Sequence, residues 1–171
     1  MFAGPNGSGK STIKEVVPEP IRGTYINPDD LAKALTSAAG QDFGDFELDF
    51  DLQEFQSFVA ASEFLTSKGT PTLARMLHLR KNALFYPPGG DVGYLASAIS
   101  DFLRRKMLSE RRWFSFETVM SSRDKVDLLR EAQYQGYRTY LYYIATDDVR
   151  INLERVTARV IQNGHDALRR R

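Results

Sequence analysis

The stretch that decides the fold is the opening one, "MFAGPNGSGKST", residues 1–12. Residues 4–11 match the pattern G-x-x-x-x-G-K-[S/T] at every fixed position. Loops of this kind bind nucleotide phosphates, because small residues let consecutive backbone N–H groups turn inward. In the pattern, Lys10 reaches the β- and γ-phosphates and the Ser11 hydroxyl faces Mg²⁺. The predicted nucleotide-binding residues are Gly4, Pro5, Asn6, Gly7, Ser8, Gly9, Lys10, Ser11 and Thr12.

The residues on either side of this loop fit the same interpretation. Phe2 and Ala3 can end a buried strand, and residues 11–17 predict a short helix that stops before Pro18. The alternative is a glycine-rich turn in which the lysine stands by chance. The full match and the two flanks favour the phosphate-binding interpretation. We therefore expect a nucleoside triphosphate, ATP or GTP, together with Mg²⁺.

Composition restricts the protein class. A chain of 171 residues with 42% hydrophobic residues is long enough for one domain with a real core. A net charge of +1 without a long basic run gives no reason to expect nucleic acid. No apolar stretch reaches membrane-spanning length and no secretory signal pattern is present, so we expect a cytoplasmic protein without a membrane partner. The absence of cysteine excludes disulfides and thiol catalysis, and two histidines are too few for an obvious metal cluster.

Strand-like and helix-like segments alternate along the chain. The predicted strands are 23–27, 112–117 and 138–145, and the predicted helices are 28–40, 94–110, 122–136 and 147–164. Residues 50–85 predict two or three amphipathic helices, broken at residues 69–71. Alternation behind a phosphate loop predicts an α/β protein with a three-layer P-loop kinase fold, a mostly parallel sheet and flanking helices. We expect one domain, 1–171, with a helical insertion at about 41–90.

Ligands of such sheets bind beyond the carboxyl ends of the strands, so the polar residues at those ends are site candidates. Asp29 and Asp30 follow the predicted strand 23–27, Glu117 and Thr118 stand at the end of the strand 112–117, and Asp147 and Asp148 follow the strand 138–145. Carboxylates near the phosphates suit a phosphoryl-transfer base or a substrate clamp. The alternatives are helix capping for Asp29 and Asp30 and a solvated strand end for Glu117.

Residues 41–59, "QDFGDFELDFDLQEFQSFV", are acidic and aromatic. They are compatible with a substrate-side or partner-binding insertion. An amphipathic helical arm with a charged outer face explains the same pattern and is favoured.

Four segments in this order carry a resemblance to a known family: "AGPNGSGKST" (3–12), "YINPDDLAK" (25–33), "FSFETVMSSRDKVDLLREAQYQGYRTYLYYIAT" (114–146) and "RVTARVIQNGHD" (155–166). Together they resemble the zeta toxin family of P-loop kinases, which is similar in fold to shikimate kinase and chloramphenicol phosphotransferase. The resemblance implies phosphorylation of UDP-N-acetylglucosamine at the sugar 3′-hydroxyl by ATP or GTP. It also implies an antitoxin protein as a partner that blocks the nucleotide site.

The resemblance implies specific roles for the matching residues. Lys10 corresponds to the phosphate lysine and Ser11 to the magnesium-binding hydroxyl. Asp29 falls on the aspartate that accepts the proton of the substrate hydroxyl, and Asp30 is its neighbour in the substrate site. Glu117 and Thr118 fall on substrate-contacting residues.

Two arginines complete the set that the resemblance implies. Arg155 and Arg159 lie on the helix that leads into the lid, where the family uses arginines against the triphosphate. At positions i and i+4 they share one helical face. The alternative is a pair of surface arginines on a solvated face.

The chain departs from the family pattern in the lid, which we place at 160–171. Family members read glycine–glycine–histidine and then valine–proline, whereas here residues 162–166 run directly into "ALRRR". We expect residues to be missing between Asp166 and Ala167. We also expect a fuller first strand ahead of Met1 and a further element after Arg171.

Three functions follow as hypotheses. The first is a zeta-like kinase of a UDP-amino sugar, and the second is a P-loop kinase of another small hydroxyl compound, such as an antibiotic or a nucleoside. The third is a nucleotide-dependent switch without phosphoryl transfer. The third is the weakest, because the N-K-x-D motif of a guanine-specific switch is absent from the sequence.

Overall fold

A computed structural model describes residues 1–88 and 92–161 of the chain. These residues form two compact units, one of residues 1–23 and 113–161 and the other of residues 24–88 and 92–112. Within the described ranges the elements are β1 (Phe2–Ala3), α1 (Lys10–Val16), α2 (Glu19–Arg22), β2 (Thr24–Ile26), α3 (Pro28–Leu35), β3 (Gln41–Asp42), a 3₁₀ helix (Phe43–Phe46), α4 (Leu52–Ala60), α5 (Glu63–Ser67), α6 (Thr70–Arg75), β4 (His78–Arg80), β5 (Ala83–Phe85), α7 (Gly93–Ser109), β6 (Phe114–Thr118), α8 (Asp124–Tyr134), β7 (Tyr142–Tyr143) and α9 (Val149–Ile161).

The first unit contains parallel strands with helices around them. Its strands lie in the order β6-β1-β7, and β1 is parallel to both neighbours. Phe2 stands opposite Glu117 on one side and opposite Tyr142 on the other. The expectation of an α/β protein with parallel strands and flanking helices is therefore confirmed. The apolar centre of this unit is formed by Phe2, Ala3, Phe116, Leu128, Ala132 and Val156, all of which are buried.

The second unit is organised around α7, whose apolar face packs against α3, α4 and α6. Phenylalanine rings fill the space between these elements: Phe43 stacks on Phe50 at 4.1 Å between ring centroids, and Phe102 meets Phe50 edge-on at 5.7 Å. Three strands form an antiparallel sheet in the order β3-β5-β4. The aromatic residues of 41–59 thus supply core side chains, which explains their spacing.

Two helix ends follow local sequence signals. The Asn27 side chain accepts a hydrogen bond from the Asp29 backbone N–H at 2.9 Å, and Pro28 occupies the first position of α3. Asp29 and Asp30 therefore lie in the first turn, while the capping side chain is that of Asn27. After α8, Gly136 adopts φ +89°, the left-handed conformation expected of a residue that ends a helix.

The structure corrects the predicted helical character of residues 50–85. Helices α4, α5 and α6 account for this interval only as far as Arg75, and β4 and β5 follow as an antiparallel pair at residues 78–85. The insertion at 41–90 is thus mixed rather than wholly helical. The strands are short and pair across a tight turn at Lys81 and Asn82, so their alternation covers too few residues to be distinguished from a helical pattern.

The last predicted strand is also shorter than expected. Only Tyr142 and Tyr143 of the interval 138–145 form β7. The high β-propensity of residues 138–145 predicted a longer strand. The length of a strand also depends on how many residues pair with a neighbouring strand, and here only Phe2 and Ala3 of β1 pair with β7. No helix within the described ranges is long and apolar enough to span a membrane.

Candidate phosphate-binding site

The predicted phosphate loop leaves β1 at Gly4 and belongs to the first unit. The Gly4 N–H donates to the Thr118 carbonyl at 3.2 Å, which ties the start of the loop to the end of β6. Gly4 has φ +147°, and a Cβ added there would lie 2.0 Å from the Ile144 carbonyl oxygen. Only glycine fits this position, so the loop begins where the backbone of the neighbouring segment passes close by.

Lys10 is held against the loop that precedes it. Its side chain is 8% exposed, and Nζ donates to the carbonyl oxygens of Gly4 at 2.9 Å and of Pro5 at 3.0 Å. These two hydrogen bonds hold the ammonium group against the backbone of the loop. In that position a cation can meet the oxygens of a bound polyphosphate without a large movement of the chain.

Ser11 and Glu117 meet although 106 positions separate them in the sequence. The Ser11 hydroxyl donates to Glu117 Oε1 at 3.0 Å. Parallel pairing favours this contact, because Glu117 stands opposite Phe2, one residue before the end of β6, and so lies close to the start of the loop. Because it binds Ser11, Glu117 also lies beside the last part of the loop.

The Thr118 side chain forms a hydrogen bond with a residue two positions later in the chain. Its Oγ1 accepts a hydrogen bond from the Met120 backbone N–H at 3.0 Å, and Met120 has φ +56°. The threonine hydroxyl therefore stabilises the turn that follows β6. Its hydrogen can still be donated to a ligand, because the contact with Met120 uses only an acceptor lone pair of the oxygen.

Helix α9 lies against the loop at Gly7. An Arg155 guanidinium nitrogen, Nη1, donates to the Gly7 carbonyl oxygen at 3.2 Å. A Cβ at Gly7 would lie 2.4 Å from the carbonyl oxygen of Asn152, one turn earlier on α9. Arg159 is exposed on the same helix. The predicted lid arginine Arg155 is thus beside the loop, while residues 162–171 of the predicted lid lie outside the described residues.

Two buried polar atoms lie at this site, one on the predicted loop residue Ser8 and one on Asn152, which the sequence did not single out. Ser8 is 5% exposed and Asn152 is 7% exposed, and neither Ser8 Oγ nor Asn152 Oδ1 has a hydrogen-bond partner among residues 1–88 and 92–161. Buried polar atoms without partners are rare in proteins, and a bound ion or water is one explanation for such an atom. Ser8 was predicted as part of the loop, whereas Asn152 stands in a helix with no motif and carried no sequence signal.

The other carboxylates of the sequence prediction occupy the starts of helices. Asp29 and Asp30 are exposed in the second unit, where they occupy the first turn of α3. Asp148 accepts hydrogen bonds from the backbone and side chain of Arg150, each at 2.8 Å. The side-chain bond to Arg150 is the main reason why the pKa of Asp148 lies below its usual value. The Asp148 carboxylate is thus already hydrogen-bonded to Arg150 at the start of α9.

The loop motif implies a bound Mg²⁺ ion, and the side-chain oxygens of Ser11 and Glu117 are suitable ligands for it. Magnesium prefers hard oxygen ligands and keeps several waters, with one or two protein groups and phosphate oxygens completing its shell. The Ser11 hydroxyl and the Glu117 carboxylate supply such oxygens in contact with each other. Within the described residues there is no cluster of three or more histidine, cysteine or acidic side chains that would hold a metal by protein ligands alone.

Comparison of the chain with protein-family models, with curated proteins and with solved structures gave no match.

Proposed function

We propose that this chain is a P-loop phosphotransferase of the zeta toxin type, which transfers the γ-phosphoryl group of ATP or GTP to a hydroxyl of a UDP-amino sugar such as UDP-N-acetylglucosamine. The observation that carries the proposal is the arrangement around the loop. A buried lysine lies under the loop, a hydroxyl–carboxylate pair stands at its end, and an arginine reaches its outer side.

The arrangement suits phosphoryl transfer because that reaction depends mainly on positioning and on neutralising negative charge. Lys10 and Arg155 are cations in contact with the loop, and each already donates to a loop carbonyl. A polyphosphate would compete for the same donors, and hydrogen bonds between charged groups are the stronger ones. Ser11 and Glu117 would hold Mg²⁺, which when bound offsets the charge of the phosphate oxygens.

In the proposed reaction the substrate oxygen forms a bond to the γ-phosphorus while the bond to the leaving nucleoside diphosphate breaks. The hydroxyl proton passes to a carboxylate. We assign that role to Asp29 on the resemblance alone, with Asp30 as its neighbour in the substrate site. Thr118 and Glu117 are the proposed substrate contacts, and a protein antitoxin is the proposed partner.

The decisive experiment is an acceptor panel. The protein is incubated with Mg-ATP or Mg-GTP and with UDP-N-acetylglucosamine, other UDP-sugars, nucleosides or aminoglycosides, and products are analysed by mass spectrometry. The proposal expects the mass of one added phosphoryl group on a UDP-amino sugar, and no such product with Lys10→Ala. Phosphorylation of a different class alone would support the second hypothesis, a kinase of another small hydroxyl compound. Nucleotide binding without any phosphorylated acceptor would support the switch.

Glu117 provides a test of the metal role that is independent of the acceptor. Glu117→Gln keeps the shape of the side chain but removes the negative charge beside Ser11. We expect the Mg²⁺ concentration needed for half-maximal stabilisation by ATP to rise about tenfold, the lower end of the effect of losing a group that orients or holds a metal. Thr118→Val is the matched control at the adjacent residue. An unchanged Mg²⁺ requirement in Glu117→Gln would leave Glu117 as a substrate contact only.

A further inference from the structure

The outer turn of the phosphate loop places an asparagine directly before a glycine. Asn6 is exposed, and Asn6 and Gly7 are the central residues of a turn that the Ser8 N–H closes on the Pro5 carbonyl at 3.3 Å. This bond is longer than the usual N–H···O distance of about 2.9 Å, so it restrains the turn only weakly. The backbone around Asn6 can therefore rotate at little cost.

Neither the Asn6 side chain nor the Gly7 backbone nitrogen is held in place by a hydrogen bond. Among residues 1–88 and 92–161, no partner is found for the Asn6 side-chain amide or for the Gly7 N–H. Gly7 also has no side chain that would shield its backbone nitrogen. Gly7 itself is buried, but a reaction between these neighbours needs access only from the adjoining Asn6 side chain.

The other described asparagines lack this combination. Asn27 precedes a proline, whose nitrogen carries no hydrogen. Asn82 is held by hydrogen bonds at both the oxygen and the nitrogen of its amide. Asn152 is 7% exposed within α9. Within the described ranges, Asn6 is thus the one exposed asparagine, and the residue after it is glycine.

We propose that Asn6 is a site of spontaneous deamidation that inactivates the phosphate loop, and that a bound nucleotide protects it. The Gly7 backbone nitrogen attacks the carbonyl carbon of the Asn6 side chain, a C–N bond forms, and ammonia leaves with the proton that the nitrogen loses. Water then opens the resulting cyclic imide at either of its carbonyls. The product is aspartate, or isoaspartate, in which the main chain runs through the side-chain methylene. One water is consumed, one ammonia is released, and nothing is oxidised or reduced.

Both products oppose phosphate binding, a consequence that rests on the proposed nucleotide-binding role of the loop. Each brings a carboxylate to residue 6, and like charges at short distance repel the polyphosphate. Isoaspartate also lengthens the main chain by one carbon atom. The loop cannot absorb this freely, because Gly4 is bound to Thr118 and Gly7 is bound to Arg155.

Protection by nucleotide follows from the same arrangement. In a phosphate loop the consecutive backbone N–H groups, here including that of Gly7, donate to phosphate oxygens. A bound nucleotide thus restrains the turn and occupies the attacking nitrogen, so the reaction waits until the nucleotide leaves. At a nucleotide concentration of about ten times Kd, about a tenth of the protein has a free loop, so deamidation of Asn6 should be about tenfold slower.

The test of the site is peptide mapping of the whole chain during incubation at mildly alkaline pH. Conversion of amide to acid is read from the mass of each asparagine-containing peptide. We expect Asn6 to convert well before Asn82 and Asn152, which are references within the same sample. Mg-ATP should slow the conversion of Asn6 in the unmodified sequence but not in Lys10→Ala. Asn163, which also precedes a glycine, lies outside the described residues and is mapped on a separate peptide.

The effect of the product is measured on separated protein. The form converted at Asn6 alone carries one extra negative charge and is resolved from the intact form by ion exchange. The intact form should show a rise in thermal midpoint with Mg-ATP, and the converted form should lose most of it, as should Asn6→Asp. Gln53→Glu makes the same amide-to-acid change on an exposed residue of α4 and should keep the full rise.

Conversion of Asn6 no faster than that of Asn82 and Asn152 would overturn the proposal. In a chain that binds nucleotide, equal conversion with and without Mg-ATP would overturn it as well, and so would a converted form that keeps the full rise. A freshly purified intact chain without any rise would instead contradict the proposed function. The conversion rate of Asn6 would then still decide whether the modification site exists.

Discussion

Lys10 is the residue on which the phosphate-binding interpretation depends most directly. Its ammonium group lies under the loop on the Gly4 and Pro5 carbonyls. We expect Mg-ATP to raise the thermal midpoint of the protein, because a ligand that binds only the folded state stabilises it. Lys10→Ala should lose most of that rise, whereas Lys33→Ala, an exposed lysine of α3, should keep it.

The rise is measured as the difference between midpoints with and without nucleotide for each variant. Any change in the basal stability of the protein then cancels. A full nucleotide-dependent rise in Lys10→Ala would show that the loop is not the nucleotide site.

Asp29 and Asp30 form a matched pair for the proposed proton transfer. Both lie in the first turn of α3 and are exposed, so replacing either carboxylate by an amide removes a similar favourable interaction with the helix N-terminus. Asp29→Asn should lower the rate of phosphorylation by about 10²–10⁴-fold, the usual effect of losing a general base, while nucleotide binding survives. Asp30→Asn should lower the rate of phosphorylation far less.

The reverse order of effects would move the proposed base by one residue, to Asp30. If neither substitution changes turnover, the assignment of a zeta-like site at this helix is wrong. Steady-state rates at saturating nucleotide decide between these outcomes.

At the scale of elements, the contact between α9 and the loop depends on Gly7. Gly7 and Gly9 both have positive φ, +80° and +97°, so alanine is strained at each by a similar amount. A Cβ at Gly7 meets Asn152 at 2.4 Å, whereas a Cβ at Gly9 meets nothing within 4 Å. Gly7→Ala should therefore displace α9 and Gly9→Ala should leave it in place.

Amide hydrogen exchange without nucleotide measures this difference. We expect exchange across Val149–Ile161 to be faster in Gly7→Ala than in Gly9→Ala, because the helix must move from the loop to admit the new methyl group. Equal exchange in the two variants would show that the Gly7 contact does not position α9.

At the scale of the whole molecule, the Met1 amine links stability to pH. Burial lowers its pKa from 8.0 to about 6. The unfolded chain therefore binds this proton more tightly than the folded protein, so the amine costs stability below pH 6 and the cost disappears as pH rises to 8. The contribution is on the order of 2 kcal/mol.

Acetylation of the N-terminus removes the titrating group and serves as the control. We expect the thermal midpoint of the unmodified chain to rise by several degrees more between pH 6 and pH 8 than that of the acetylated chain. Identical slopes for the two forms would mean that the amine is not buried in the folded protein.

The local features of this protein follow from its sequence. The loop pattern at residues 4–11, the Asn27 cap with Pro28, and the turn at Gly136 each involve residues within a few positions of one another, so short-range geometry determines them. The order of most helices and strands outside residues 76–90 was predictable for the same reason. Glu117 could be placed near the loop because parallel strands bring their carboxyl ends to one edge.

The remaining features depend on the tertiary structure. The Ser11–Glu117 bond joins residues 106 positions apart, and Arg155 reaches Gly7 across 148 positions. β4 and β5, too short to show a period of their own, are strands because they pair with each other and β5 pairs with β3. The buried Ser8 and Asn152 atoms lie where separate elements meet. Such contacts depend on how far each element extends and where it packs, which no short stretch of sequence determines.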